Sequence, residues 1–115
     1  MRAELSRSGP GQFDLKQDAG GITDIEFLAQ YWTLHWAERY PELVTYSDNI
    51  RQLESLASAD LVPQATVDVL TNAYRAYRQR MHHLSLEAAS NVVSDDEFRE
   101  TRAAVTAIWN ATMHV

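Results

Sequence analysis

The sequence predicts an all-α fold, an up-down bundle of about four main helices preceded by a short non-helical stretch. Apolar residues recur at helical spacing almost everywhere after Gly21. Proline and Ser/Thr/Asp punctuation cuts that pattern into four segments. The connections between the segments are short, which makes neighbouring helices antiparallel.

The opening MRAELSRSGPGQ is polar, and Gly9, Pro10 and Gly11 end any helix before them. FDLK, residues 13–16, alternates apolar and polar like a short strand, and QDAGG reads as a loop. A lone four-residue strand leaves its backbone groups without partners, so the expectation is that its neighbours lie in sequence outside this chain. Residues 1–21 are accordingly expected to be poorly ordered. The first helix is expected over residues 24–39, with Thr23 as N-cap, Glu26 closing a capping box, and Ile22 stapled to Phe27. Pro41 stops it. The second begins after Ser47, ends near Ser58 and buries Ile50, Leu53, Leu56 and Ala57. The third starts at Pro63 and reaches about Leu86. Its apolar stripe (Val67, Leu70, Tyr74, Tyr77, Met81, Leu84) falls within about 100° of arc. The fourth opens at Ser94, with Glu97 closing a second capping box and Val93 stapled to Phe98, and buries Phe98, Val105, Ile108 and Trp109.

Composition narrows the functional classes. The 115 residues are 45% hydrophobic and 23% charged, a mix that makes a packed core. A net charge of -6 argues against nucleic-acid and anionic-membrane surfaces, since both repel it. With no cysteine there is neither a disulfide nor a thiolate zinc site, which fits a reducing cytoplasm. No apolar run approaches the roughly 20 residues that span a bilayer.

Several constellations bear on chemistry. Asp24 and Glu26 form a D-x-E pair, which two strand positions would aim at one metal. On a helix two residues subtend about 200°, so the pair diverges, and the residues serve the helix N-terminus instead. The first helix carries two apolar stripes, Ile25, Leu28, Trp32 and Trp36 on one side, and Phe27, Tyr31 and Leu34 on another. Only Glu26, Gln30 and Thr33 make a polar sector, which starts at the glycine loop and is a candidate edge of a ligand cleft. Such a helix is either central in the bundle or wedged against another domain. RAYRQRMHH, residues 75–83, is basic and reads as a dipole-stabilised, solvated face in preference to a phosphate site. His82 and His83 diverge by about 100°, and no histidine stands at i+4 to make a zinc clip. Tyr74, Tyr77 and the three tryptophans read as core in preference to a stacking platform. The best chemical clue is the loop: Lys16 follows a strand, and Gly20 and Gly21 precede a helix N-terminus, a plausible anion cradle.

FDLKQDAGGITDIEFLAQY closely resembles the segment that joins the nucleotidyltransferase domain to its helical bundle in glutamine synthetase adenylyltransferases. Bacterial PII uridylyltransferases carry a looser version. YSDNIRQLESLA (residues 46–57) and YRQRMHHLSL (residues 77–86) are similar to the same family at similar spacing, so the resemblance covers nearly the whole chain. GGITDIEF, with Thr23, resembles the adenylylating C-terminal half, and the chain stops soon after the fourth helix as a natural C-terminus would.

The resemblance implies MgATP chemistry: a glutamine synthetase tyrosine attacks the α-phosphate while metals clamp the reacting oxygens. It also implies that the other half of such enzymes removes AMP by phosphorolysis. The family's G-S and D-x-D pattern, which holds the metals, does not occur in this sequence, so ATP and Mg²⁺ belong to the complete enzyme and the isolated chain is expected to be inactive. Residues 1–21 then become a remnant of the nucleotidyltransferase domain and its loop, and 22–115 the helical domain. Lys16, Gly20, Gly21, Asp24, Glu26 and Gln30 are the expected contributions to the nucleotide site. The implied partners are glutamine synthetase, the PII signalling protein and the nucleotidyltransferase domain itself, in the cytoplasm. Three roles remain open. They are support of the active site, a docking module for glutamine synthetase or PII (or the equivalent domain of a PII uridylyltransferase), and a free-standing helical adaptor. The Phe27, Tyr31 and Leu34 stripe, left uncovered, would pair two copies of the isolated chain.

Overall fold

The apolar stripes decide where the helices lie. A computed structural model describes residues 11–41, 43 and 48–113 of the chain. The order is β1 (Gln12–Asp14), α1 (Ile22–Trp36), α2 (Asn49–Ser58), α3 (Gln64–Leu86), β2 (Val92–Ser94) and α4 (Arg99–Met113). The punctuation at Gly9 and Pro10, and the start of the second motif at Tyr46 and Ser47, lie outside the described residues. The fold is the expected all-α bundle of four helices, with one small two-stranded sheet. α1 packs against α2, α3 and α4, and α3 packs against the same α2 and α4 from its other sides.

The core follows the sequence stripes closely. Val67, Leu70, Tyr74, Tyr77 and Leu84 of α3 are buried, as are Leu53, Leu56 and Ala57 of α2 and Ile25 and Leu28 of α1. Trp32, Trp36, Ile50, Met81, Phe98, Ile108 and Trp109 pack against this centre while keeping one edge in solvent. Thr33, expected in the polar sector, is buried instead. α1 therefore occupies the central position, yet its second stripe is uncovered: Phe27 is 49%, Tyr31 39% and Leu34 74% exposed.

The strand expected to lack a partner has one within the chain. β1 pairs antiparallel with β2, in the register Gln12 with Ser94, Phe13 with Val93 and Asp14 with Val92. The Leu15 N–H continues the ladder to the Asn91 carbonyl at 2.9 Å. Phe13 and Leu15 are fully buried. The Phe13 ring meets Tyr77 edge-on at 5.8 Å, and the Arg102 guanidinium lies over its face at 3.9 Å. Residues 11–21 are thus part of the packed body, contrary to the expectation of poor order. Burial of Phe13 on the strand and of Leu15 just after it anchors this short segment to the bundle.

Two helix starts also differ from expectation. α1 begins at Ile22 with Gly21 as N-cap and no side-chain cap, so Thr23 and Glu26 form no capping box. Ile22 is buried while Phe27 faces solvent, which excludes the staple. The cap is made from backbone: Gly21, Ile22 and Thr23 N–H groups donate to the carbonyls of Asp18, Leu15 and Lys16. α4 begins at Arg99 rather than at Ser94, which ends β2. Residues 95–98 form a turn in which Phe98 adopts a φ of 58°. That lets its ring meet Tyr77 edge-on at 5.2 Å. Glu97, assigned to a cap by the sequence, instead reaches α3 and accepts from the Nε and Nη2 groups of Arg80 at 2.9 and 3.2 Å. α2 starts as expected. The Asp48 carboxylate caps it, accepting from the Ile50 and Arg51 N–H groups.

Candidate functional site

The joint between β1 and α1 is organised by two aspartates. Asp14 is buried, and its carboxylate accepts from the Lys16 and Gln17 N–H groups at 2.9 and 3.1 Å. Asp18 accepts from the Asp14 N–H at 2.8 Å, which closes the loop on itself. The chain turns sharply after Asp14 as a result, so the Lys16 side chain leaves the sheet into solvent.

Gly20 and Gly21 are buried in this joint. Gly20 has a φ of +83°, and a Cβ there would stand 2.7 Å from the Arg102 carbonyl oxygen on α4. At Gly21 a Cβ would stand 2.6 Å from the Leu15 carbonyl oxygen. The Gly20 N–H donates to the buried Asp24 carboxylate at 2.8 Å, and the Gly21 N–H to Asp18. These N–H groups point inward, so the glycines' demonstrated service is close packing of β1, α1 and α4. Asp24 reaches back from the first turn of α1 to hold that loop, and its partner in the D-x-E pair, Glu26, lies elsewhere. The divergence expected for helical neighbours is observed. Gln30 lies exposed one turn beyond Glu26.

Lys16 and Glu26 are brought together. They line a cleft of about 370 Å³ with Ile22 of α1 and Tyr74, Arg78, Met81 and His82 of α3. Arg78 donates to the Tyr74 hydroxyl at 3.3 Å and its guanidinium lies 5.6 Å from the centre of that ring. This hydrogen bond, with the negative potential of Tyr74, Glu26 and Asp48, holds Arg78 more firmly protonated than usual. The α3 members of the cleft were missed as site residues by sequence reasoning. The signal lay in the spacing of Tyr74, Arg78 and His82, each four residues on from the last, which sets them along one face of a helix. Next to the cleft, burial holds the Tyr77 phenol above its ordinary range, opposed by the charge of Arg102 and reinforced by Asp24. Among the described residues no three His, Asp or Glu side chains gather as a metal site. No described helix is long and apolar enough to cross a membrane.

The profile of one known family, described as GlnD PII-uridylyltransferase, matches residues 2–91, which include β1, α1, α2 and α3. The chain belongs to that family. Three similar curated relatives bear the name bifunctional glutamine synthetase adenylyltransferase/adenylyl-removing enzyme. That of Nitrosococcus oceani is 46% identical over 98% of this chain. That of Thioalkalivibrio sulfidiphilus is 43% identical over the same share, and that of Pseudomonas syringae 47% over 84%. The chain spans only 12%, 12% and 10% of their respective lengths. In family terms, the cleft lies within the stretch that the profile matches.

Proposed function

We propose that this chain is the helical domain following a nucleotidyltransferase domain in an enzyme that adenylylates glutamine synthetase and removes the adenylyl group. Identity of 46% across nearly the whole chain to a relative of that name is the observation that carries this reading. Residues 1–21 would connect the two domains, with ATP and Mg²⁺ held mainly by the preceding one. The chain's own contribution is the wall of the cleft, with Lys16 supplying charge opposite the phosphates and Glu26 facing it. Gly20, Gly21 and Asp24 act indirectly, because their packing fixes where Lys16 and the start of α1 stand. Gln30 extends the polar edge of α1 outward. The setting is cytoplasmic, with glutamine synthetase as substrate protein and PII as regulator.

In the complete enzyme, Lys16→Ala should slow adenylylation by about tenfold or more at limiting ATP, the loss expected for one charge-assisted phosphate contact. Circular dichroism should be unchanged, since the side chain is exposed. Wild-type ATP dependence in this variant would end the assignment of Lys16. The 115-residue chain alone should incorporate no label from α-labelled ATP into glutamine synthetase, because it lacks the metal-clamping carboxylates. Incorporation by the isolated chain would overturn the division of labour between domains.

The uncovered Phe27, Tyr31 and Leu34 stripe supplies the surface for contact with the preceding domain in this reading. In the complete enzyme that stripe is covered by the neighbouring domain, and two isolated chains pair through it.

A further inference from the structure

We infer that Arg102 of α4 is a positioning residue, which clamps β1 against the bundle and so fixes the loop that carries Lys16. The inference deepens the reading given above and rests on it for the role of Lys16, whereas the clamp itself stands on the packing of this chain.

Arg102 is half-buried beside the joint. Its guanidinium lies over the Phe13 ring, 3.9 Å from the centre, well inside the range of a cation–π contact. Its Nη1 group donates to the Asp95 carbonyl at 3.4 Å, in the turn that follows β2. The Asp95 N–H in turn donates to the Gly11 carbonyl at 3.0 Å, just before β1 begins. The backbone carbonyl of Arg102 is the atom that a Cβ at Gly20 would approach to 2.7 Å. From one helix, a single residue thus bears on β1, on the end of the ribbon and on the glycine loop.

Packing alone does not call for an arginine there. A methionine or leucine would fill the space without burying a donor, yet Arg102 Nε is buried and makes no hydrogen bond among the described residues. Arg80 and Arg99 differ, since each pairs with a carboxylate. What the guanidinium adds over an alkyl chain is a flat cation against the Phe13 ring and a reach to the Asp95 carbonyl. Its charge is also felt at Tyr77, the edge-on neighbour of Phe13, where it opposes the rise caused by burial.

From Phe13 the constraint passes along the backbone. Asp14 follows directly, and its carboxylate holds the Lys16 and Gln17 N–H groups. Freedom at Phe13 therefore becomes freedom at Lys16, although Arg102 does not itself line the cleft.

Amide hydrogen exchange on the full chain, read by NMR, tests the clamp. In Arg102→Met the N–H groups of Phe13, Leu15, Lys16 and Gln17 should exchange about tenfold faster than in the wild type, with those of Leu53 and Leu70 unchanged. Arg102→Lys keeps the charge and loses the flat fork, so it should fall between the two. Equal acceleration throughout the chain, or wild-type rates at residues 13–17, overturns the inference. The consequence is read in the complete enzyme. Arg102→Met should raise the KM for ATP by about threefold and leave kcat within error. It should add nothing in a Lys16→Ala background, because both changes remove the same contact. An effect that adds in full to that of Lys16→Ala overturns the route through Lys16. If Lys16→Ala alone behaves as wild type, the reading of Lys16 falls, and the exchange rates still decide the clamp.

Discussion

Among the described residues, three that are not glycine sit in the left-handed backbone region, and each marks a place where packing has overruled local preference. Asp60 and Ala88, with φ of 60° and 57°, each follow the C-terminus of a helix. After α3 the Ala88 and Ala89 N–H groups donate to the carbonyls of Ser85 and Leu84, a pattern normally completed by glycine. Left-handed backbone costs an L-residue roughly 1–2 kcal/mol, part of which a glycine returns through its freer unfolded state. Ala88→Gly should therefore stabilise the chain by about 0.5–1 kcal/mol in urea denaturation. An unchanged or lower midpoint would show that Ala88 is held there by side-chain contacts. Gly20→Ala should act in the opposite sense and more strongly, by about 3 kcal/mol, because strain adds to a collision with the α4 backbone. If Gly20→Ala leaves the midpoint within error, α4 yields more easily than close packing allows.

The helices were legible from sequence and their starting points were not, for one physical reason. Val67, Leu70, Tyr74 and Tyr77 announce α3 because burial repeats with the helical period. Caps depend on single residues, and the same letters suit several turns. Ser94 and Glu97 spelled a capping box, yet Ser94 ends a strand and Glu97 bonds across to Arg80. Thr23 and Glu26 spelled another, while the carbonyls of residues 15, 16 and 18 cap α1 in their place. The candidate cleft was half legible. Lys16 and Glu26 could be placed from the loop and helix start, but Arg78 and His82 belong to it only through tertiary packing. The Arg80–Glu97 pair predicts a pH effect at this scale. Arg80 holds the Glu97 carboxyl below its ordinary range, first through their hydrogen bond. A carboxyl depressed in the folded state adds stability that is present above its unfolded value and disappears as pH falls through the folded value. Wild-type stability should thus decline on acidification below the ordinary glutamate range, more steeply than that of Glu97→Gln. Both side chains are about a third exposed, so the difference should be modest and should shrink with salt. Parallel acid profiles for the two proteins would assign the pair no role in anchoring α4.

At the scale of the molecule, α1 is central and still shows an apolar face to solvent. Phe27 stacks on Tyr31 at 6.5 Å, Tyr31 on His35 at 5.9 Å, and Phe27 meets Trp109 of α4 at 5.3 Å, so the face is a continuous aromatic surface. Each large apolar side chain stabilises by roughly 1.5–3 kcal/mol when fully buried. The isolated chain should accordingly dimerise with rising concentration in sedimentation, and Tyr31→Glu should weaken the association by about tenfold or more. A chain that stays monomeric at high concentration would remove both pairing and the argument for a covering domain. A different consequence follows from the ribbon of β1 and β2. Its paired residues, Gln12 and Ser94, are 94 − 12 = 82 positions apart, with α1, α2 and α3 all between them. Joining ends so remote in sequence is slow compared with winding any of those helices. On the ribosome, Phe13 and Leu15 must therefore wait, apolar and unpaired, until Val92–Ser94 has been synthesised. Only then can the ribbon close and hold Phe13 against Tyr77.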